Sequence, residues 1–214
     1  MSRSIALNLN GYTDLPPGHI ASVVTFLEMR APPPPRPPQS LVGAAIARLD
    51  GRDEPRYTAI YRQLGERWMW FSRLGLSAAT RTDILDDPAV ETFAFTLEGQ
   101  DAGLLELDFR VPGEAELAYF GVVESATGTR AGRWLMARAL DIAWARSGLT
   151  RLWLHTCNLD HPRALEFYRR SGFAPYKTAI EVAPDPRLSG LLPRDAAPHA
   201  PIARGPVPTS PTAS

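Results

Sequence analysis

Between Glu116 and Arg133 the chain reads ELAYFGVVESATGTRAGR, a strand-like run that passes through a short polar loop into a long segment of helical periodicity. A helix that begins there exposes unpaired amide N–H groups and the positive end of its dipole, a combination suited to a pyrophosphate. Gly128, Thr129, Ala131 and Gly132 are small enough to let a phosphate approach the backbone, and Arg130 and Arg133 place cations beside it. A glycine-rich strand-to-helix turn is also a common packing corner, so this stretch alone leaves both uses open.

A second constellation runs from Ala164 to Phe173 (ALEFYRRSGF), a short helix carrying Tyr168 followed by Gly-Phe entering a strand. Strict alternation from Glu116 predicts Glu116, Ala118, Phe120 and Val122 on one strand face, where a lone carboxylate among apolar side chains would hold its proton to higher pH. A solvated carboxylate at a strand start is the competing reading. Glu106 and Asp108 share a face of the neighbouring strand and read chiefly as surface charge, with cation binding or a water-relayed proton as alternatives. His155, near a strand end, is a further candidate base. Cys157 beside it invites a covalent route, although a lone cysteine there is more often packing.

These residues need elements to position them. His19–Met29 is rich in β-branched residues and reads as the first strand. Tyr57–Leu64 and Thr80–Leu85 read as short helices, and Arg67–Leu76 (RWMWFSRLGL) as an aromatic loop or short helix that packs on the core or walls an acceptor site. Thr92–Leu97, Ala102–Val111 and Ala115–Val123 form an antiparallel meander, with turns at 98–101 and at Pro112-Gly113. A helix over 132–146 turns Gly132, Leu135, Met136, Ala139, Leu140 and Ala143 to one side. Thr150–Thr156 is then a strand parallel to the third meander strand, because a helical crossover joins them. A helix over 162–171, capped by Asp160 or His161, and a strand over 173–182 complete the order. The expected fold is α+β, with a mixed, largely antiparallel sheet flanked by helices.

The two constellations, in this order, resemble the GNAT superfamily of N-acetyltransferases, and bacterial members in particular. Its signature is (Gln/Arg)-x-x-Gly-x-(Gly/Ala), then Ala-x-x-x-Tyr-x-x-x-Gly-Phe. Ala164, Tyr168, Gly172 and Phe173 match the second motif at every named position. In the first, Thr127 stands at the Gln/Arg position and Arg130 at the glycine, and His161 replaces the asparagine usual three residues before Ala164.

The resemblance implies an acyltransferase that moves an acetyl group from acetyl-coenzyme A to a primary amine by direct transfer in a ternary complex. It implies that Val122 and Val123 pair their backbone with the pantetheine arm, that Thr127 to Arg133 cradle the pyrophosphate, and that His161 donates a hydrogen bond to the cofactor. Tyr168 would protonate the departing thiolate. An amine with a pKa of about 10.4 is protonated at neutral pH and must lose a proton before it attacks. Glu116 is the candidate base, placed similarly to the base glutamate of histone-acetylating members. The alternative is a catalytically silent module that binds acyl-coenzyme A or a protein partner.

Composition limits the remaining classes. Lys+Arg and Asp+Glu number 23 each, so no global field recruits nucleic acid or an anionic membrane. The single cysteine rules out an internal disulfide or a Cys-rich metal site, and no metal is expected. No Gly-Lys-(Ser/Thr) follows the glycines and no Gly-x-Gly-x-x-Gly turn occurs, which excludes P-loop and dinucleotide folds. With no signal-like or membrane-length apolar run, the expected location is cytoplasmic. The expected organisation is one domain over 1–193, with a stiff Pro-rich segment at 31–38 and a disordered Pro-rich tail over 194–214. The acceptor is a small-molecule or peptide amine, and strand-edge pairing would give a homodimer.

Overall fold

The computed structural model describes residues 6–34 and 40–203. Part of the Pro-rich segment, 35–39, and the end of the tail, 204–214, lie outside the described residues. Seven strands form one sheet: β1 (His19–Met29), β2 (Ala44–Leu49), β3 (Val90–Leu97), β4 (Gln100–Asp108), β5 (Glu114–Val122), β6 (Arg151–Cys157) and β7 (Ala174–Pro184). Their order is β2-β3-β4-β5-β6-β1-β7. Only β5 and β6 run parallel, as the crossover requires.

Among the described residues, four α-helices cover the sheet: α1 (Glu54–Gly65), α2 (Ala78–Asp86), α3 (Ala131–Ala145) and α4 (Ala164–Ser171). On one face Leu135, Met136 and Ala139 of α3 pack on Leu105, Leu107, Leu152 and Leu154. On the other, Tyr57, Ile60, Tyr61 and Leu64 of α1 pack on Leu49, Ala94 and Leu104. A two-residue hairpin joins β3 to β4 through Glu98 and Gly99, both at positive φ, the conformation that matches strand twist.

Four expectations change. β2 is an additional strand: AAIARL has little β-propensity, and its pairing with β3 holds it as an edge strand. The 162–171 helix starts at Ala164 with Arg163 at its N-cap position and no side-chain cap, because the Asp160 carboxylate is used elsewhere. Glu106 is not surface charge: it is fully buried, and accepts hydrogen bonds from Arg73 at 2.5 Å and the Tyr57 hydroxyl at 3.1 Å. Within the tail, Ala196, Ala197 and Ala200 are buried in the α1-side core. Composition missed this packing because a single side chain organises it. The Arg187 guanidinium, paired with Asp185 at 2.7 Å, donates to the carbonyls of Ala196 and Ala200.

Candidate active site

The parallel pair β5–β6 is short. Glu114, Ala115 and Glu116 pair with Arg151, Leu152 and Trp153, and beyond them the strands part. From Leu117 onward the edge of β5 that faces β6 therefore has no strand partner. Val122 lies opposite Gly103 of β4, and the Val123 amide donates to the Ala102 carbonyl at 2.9 Å. Because successive peptide groups point to opposite edges, Val122 turns its N–H and C=O into the opening while Val123 spends its amide on β4. Of the two residues expected to pair with a pantetheine arm, Val122 alone has a free amide.

β5 also bulges. Glu106 lies opposite Tyr119 and Leu107 opposite Leu117, which leaves Ala118 as the extra residue. The bulge reverses the later alternation, so Glu116 shares a face with Tyr119, while Phe120 and Val122 join the α3-side core. The expected single face of Glu116, Ala118, Phe120 and Val122 does not form. Glu116 is not a lone carboxylate either: its Oε1 lies 3.3 Å from Nδ1 of His155.

At the mouth of the opening a short turn (Glu124–Ala126) leads to α3. The Thr127 and Thr129 amides are taken by the carbonyls of Glu124 and Ala126. Gly128, Arg130, Ala131, Gly132 and Arg133 remain as outward amides, the last three in the unpaired first turn of α3. Arg130 sits at φ +74°, ψ −5°, a left-handed conformation that favours glycine, and its exposed side chain makes no capping bond. These amides, with the free edge at Val122, fit the pyrophosphate and pantetheine arm of a coenzyme A thioester.

Glu116, His155, Cys157, Asp160 and Tyr168 line one cavity of about 330 Å³, with Trp70, Tyr119 and Phe120 among its walls. The hydrogen bond that His155 Nδ1–H donates to Glu116 holds the His155 pKa above its ordinary value; partial burial opposes this, and the charges of Asp160 and Glu181 assist. Tyr168 stands edge-on to Phe120 and Phe173, and burial, then the Asp160 charge, raises its pKa, so it stays a proton donor. Burial likewise raises Cys157, which keeps it a thiol rather than a nucleophilic thiolate.

His161 lies outside that cavity. Its ring meets Trp68 at 5.1 Å, and Nδ1 accepts the Arg163 amide, so in the neutral ring Nε2 carries the proton. Burial, then Arg163 and Arg67, lowers its pKa. Sequence reasoning missed Asp160 as a site residue. Its Oδ2 accepts from Thr156 Oγ1 at 2.7 Å and the Cys157 amide at 2.9 Å, and its Oδ1 from Trp70 Nε1 at 3.2 Å. The Asp at the end of a strand was the available signal, and it also reads as a helix cap. A larger open depression of about 600 Å³, lined by Arg62 and residues 187–194, holds no comparable acid–base pair.

The family model for the acetyltransferase (GNAT) family matches residues 57–173. The chain belongs to the GNAT acetyltransferase family. The matched span contains the β5 bulge, the loop into α3, the β5–β6 opening and Tyr168. Among solved structures, a GCN5-related N-acetyltransferase from Kribbella flavida is similar at a TM-score of 0.55 and 21% identity, over 81% of this chain and 63% of that one. The chain thus spans less than two thirds of that relative. A GNAT-family acetyltransferase structure from Novosphingobium aromaticivorans gives 0.53 and 17%, over 80% and 69%. An aminoglycoside acetyltransferase from an uncultured soil metagenomic sample, in complex with sisomicin, gives 0.50 and 17%, over 61% and 88%. At these identities the likeness shows the GNAT fold alone. No curated protein matches the sequence. Among the described residues no helix is long and apolar enough to cross a membrane, and no His, Cys, Asp and Glu group could hold a metal.

Proposed function

We propose that this GNAT protein transfers an acetyl group from acetyl-coenzyme A to a primary amine by direct attack in a ternary complex. The observation that carries the reading is the meeting of a base pair and an acid in one cavity: Glu116 bonded to His155, and Tyr168, where β5 and β6 part. Val122 would pair with the pantetheine arm. Gly128, Arg130, Ala131, Gly132 and Arg133 would hold the pyrophosphate through their amides, with Thr127 and Thr129 shaping the loop.

The incoming ammonium must lose a proton. With Glu116 accepting from Nδ1–H, His155 presents Nε2 as the basic atom, and the raised pKa strengthens it as an acceptor. The neutral amine then attacks the thioester carbon, whose oxygen would be held by an amide at the β5 edge. As the C–S bond breaks, Tyr168 donates its proton to sulfur. This differs from a role for Glu116 as direct base: the carboxylate acts through the imidazole. Cys157 takes no part. The exposed edge strand β7, with Ile180 and Val182 facing outward, is compatible with a homodimer.

Initial-rate kinetics test the route, with released thiol measured while acetyl-coenzyme A and an amine are varied together. Intersecting reciprocal plots and full activity in Cys157→Ala are expected. Parallel plots with loss of activity in Cys157→Ala would replace direct transfer by a covalent intermediate.

A further inference from the structure

Carboxylates from three elements line the cavity with His155: Glu116 on β5, Asp160 after β6 and Glu181 on β7. Among the described residues, none of the three is ion-paired to an arginine or lysine. Many of the chain's other buried and half-buried acids are ion-paired, such as Glu54 with Arg81, Asp101 with Arg56 and Asp185 with Arg187. The two arginines that line the cavity do not cancel the excess. Arg110 is spent on Asp108, and Arg73 is spent on the buried Glu106 while its guanidinium stacks 5.1 Å over Tyr119.

Aromatic side chains form part of the remaining walls. Tyr61, Trp70, Tyr119, Phe120 and Tyr168 enclose the same space, and their ring faces favour cations as the carboxylates do. The Asp160 carboxylate is already held by three donors on Thr156, Cys157 and Trp70, so it acts as a fixed negative charge. Glu181 accepts no hydrogen bond from any described residue and is exposed on β7, on the strand face that carries Ser22 opposite it. It is the carboxylate free to receive a ligand.

We infer that the acceptor is a small amine with a second positive charge, a diamine rather than an amino acid. One nitrogen is presented to the His155–Glu116 pair and the other is held by Glu181. The inference rests on the transferase reading for the chemistry, but on the cavity's charge alone for the ligand class. A monoamine would leave Glu181 unpaired. An amino acid would bring its own carboxylate against three others, a like-charge contact of the kind that excludes wrong partners.

Three probes that share a primary amine at one end of a five-carbon chain separate these cases: cadaverine, n-pentylamine and δ-aminovalerate, whose other ends are an ammonium, a methyl and a carboxylate. With acetyl-coenzyme A present, thiol release should give a kcat/KM for cadaverine roughly two- to five-fold above n-pentylamine, as one exposed ion pair provides, and higher still above δ-aminovalerate. Glu181→Gln should remove the preference for cadaverine over n-pentylamine, a loss of roughly two- to five-fold. Equal or better use of δ-aminovalerate, or a Glu181→Gln effect equal on all three, would overturn the inference. Calorimetric titration of each amine into the protein, without turnover, supplies the independent arm. Cadaverine binding that weakens in Glu181→Gln, with no thiol released from any probe, would uphold the ligand class and remove the transferase reading. Absence of cadaverine binding in both arms would remove the ligand class.

Discussion

Oε1 of Glu116, on the last paired rung of β5 and β6, lies 3.3 Å from Nδ1 of His155, two residues past that rung on β6. The contact fixes which ring nitrogen faces the cavity, and it raises the imidazole pKa. Because the base must be neutral to accept a proton, activity should be lost as pH falls through that raised value. Glu116→Gln removes the support. The acidic limb of the kcat/KM profile should move to lower pH and the maximum should fall by about a hundred-fold, within the range for a displaced general base. A pH–rate profile of the two proteins checks both.

Burial, then the Asp160 charge, keeps the Tyr168 hydroxyl protonated. Tyr168→Phe should preserve the ring contacts with Phe120 and Phe173 while removing the proton. We expect kcat to fall by about a hundred-fold, with little change in KM or in the thermal midpoint. A fall in KM affinity of the same size, with kcat kept, would mark the tyrosine as a binding group only.

Asp160 influences both ends of the proton path. Its charge raises the pKa of His155 and of Tyr168, so Asp160→Asn should lower both, and the acidic and basic limbs of the rate profile should shift together to lower pH. Trp70→Phe removes the indole hydrogen bond to Asp160 but keeps the charge, so it should leave the limbs where they are. Loss of rate in Asp160→Asn without movement of either limb would assign it a purely structural part.

Much of this arrangement was legible in the sequence, and the failures have specific causes. β1, the β3–β4–β5 meander and α3 follow from side-chain periodicity, because each buries one face against a continuous core. The Ala118 bulge could not be read, since nothing in AELAYFGVV marks an extra residue; only the β4 partner reveals it. The roles of Glu106 and Asp160 depend on Arg73, Tyr57 and Trp70, which lie far away in sequence and meet them only through the fold. Arg130 was legible as a departure from a glycine position. The structure adds the physical reason, a left-handed backbone.

That backbone makes a further prediction. A non-glycine residue at φ +74° costs about 1 kcal/mol, partly offset because glycine loosens the unfolded chain. Arg130→Gly should therefore leave stability unchanged or raise it by up to about 1 kcal/mol, while acetyl-coenzyme A affinity falls by about ten-fold if the guanidinium meets phosphate. Chemical denaturation and ligand titration separate the two effects. Tighter binding in Arg130→Gly would mean that the side chain obstructs the loop.

Calorimetric titration with acetyl-coenzyme A tests the central claim most directly, because every step above requires the thioester to lie between β5 and β6 with its phosphates at the start of α3. The account predicts saturable binding near the micromolar range, with slow thiol release that is lost in Tyr168→Phe. No binding heat at millimolar acetyl-coenzyme A would contradict it, and would leave a GNAT fold whose role is not acyl transfer.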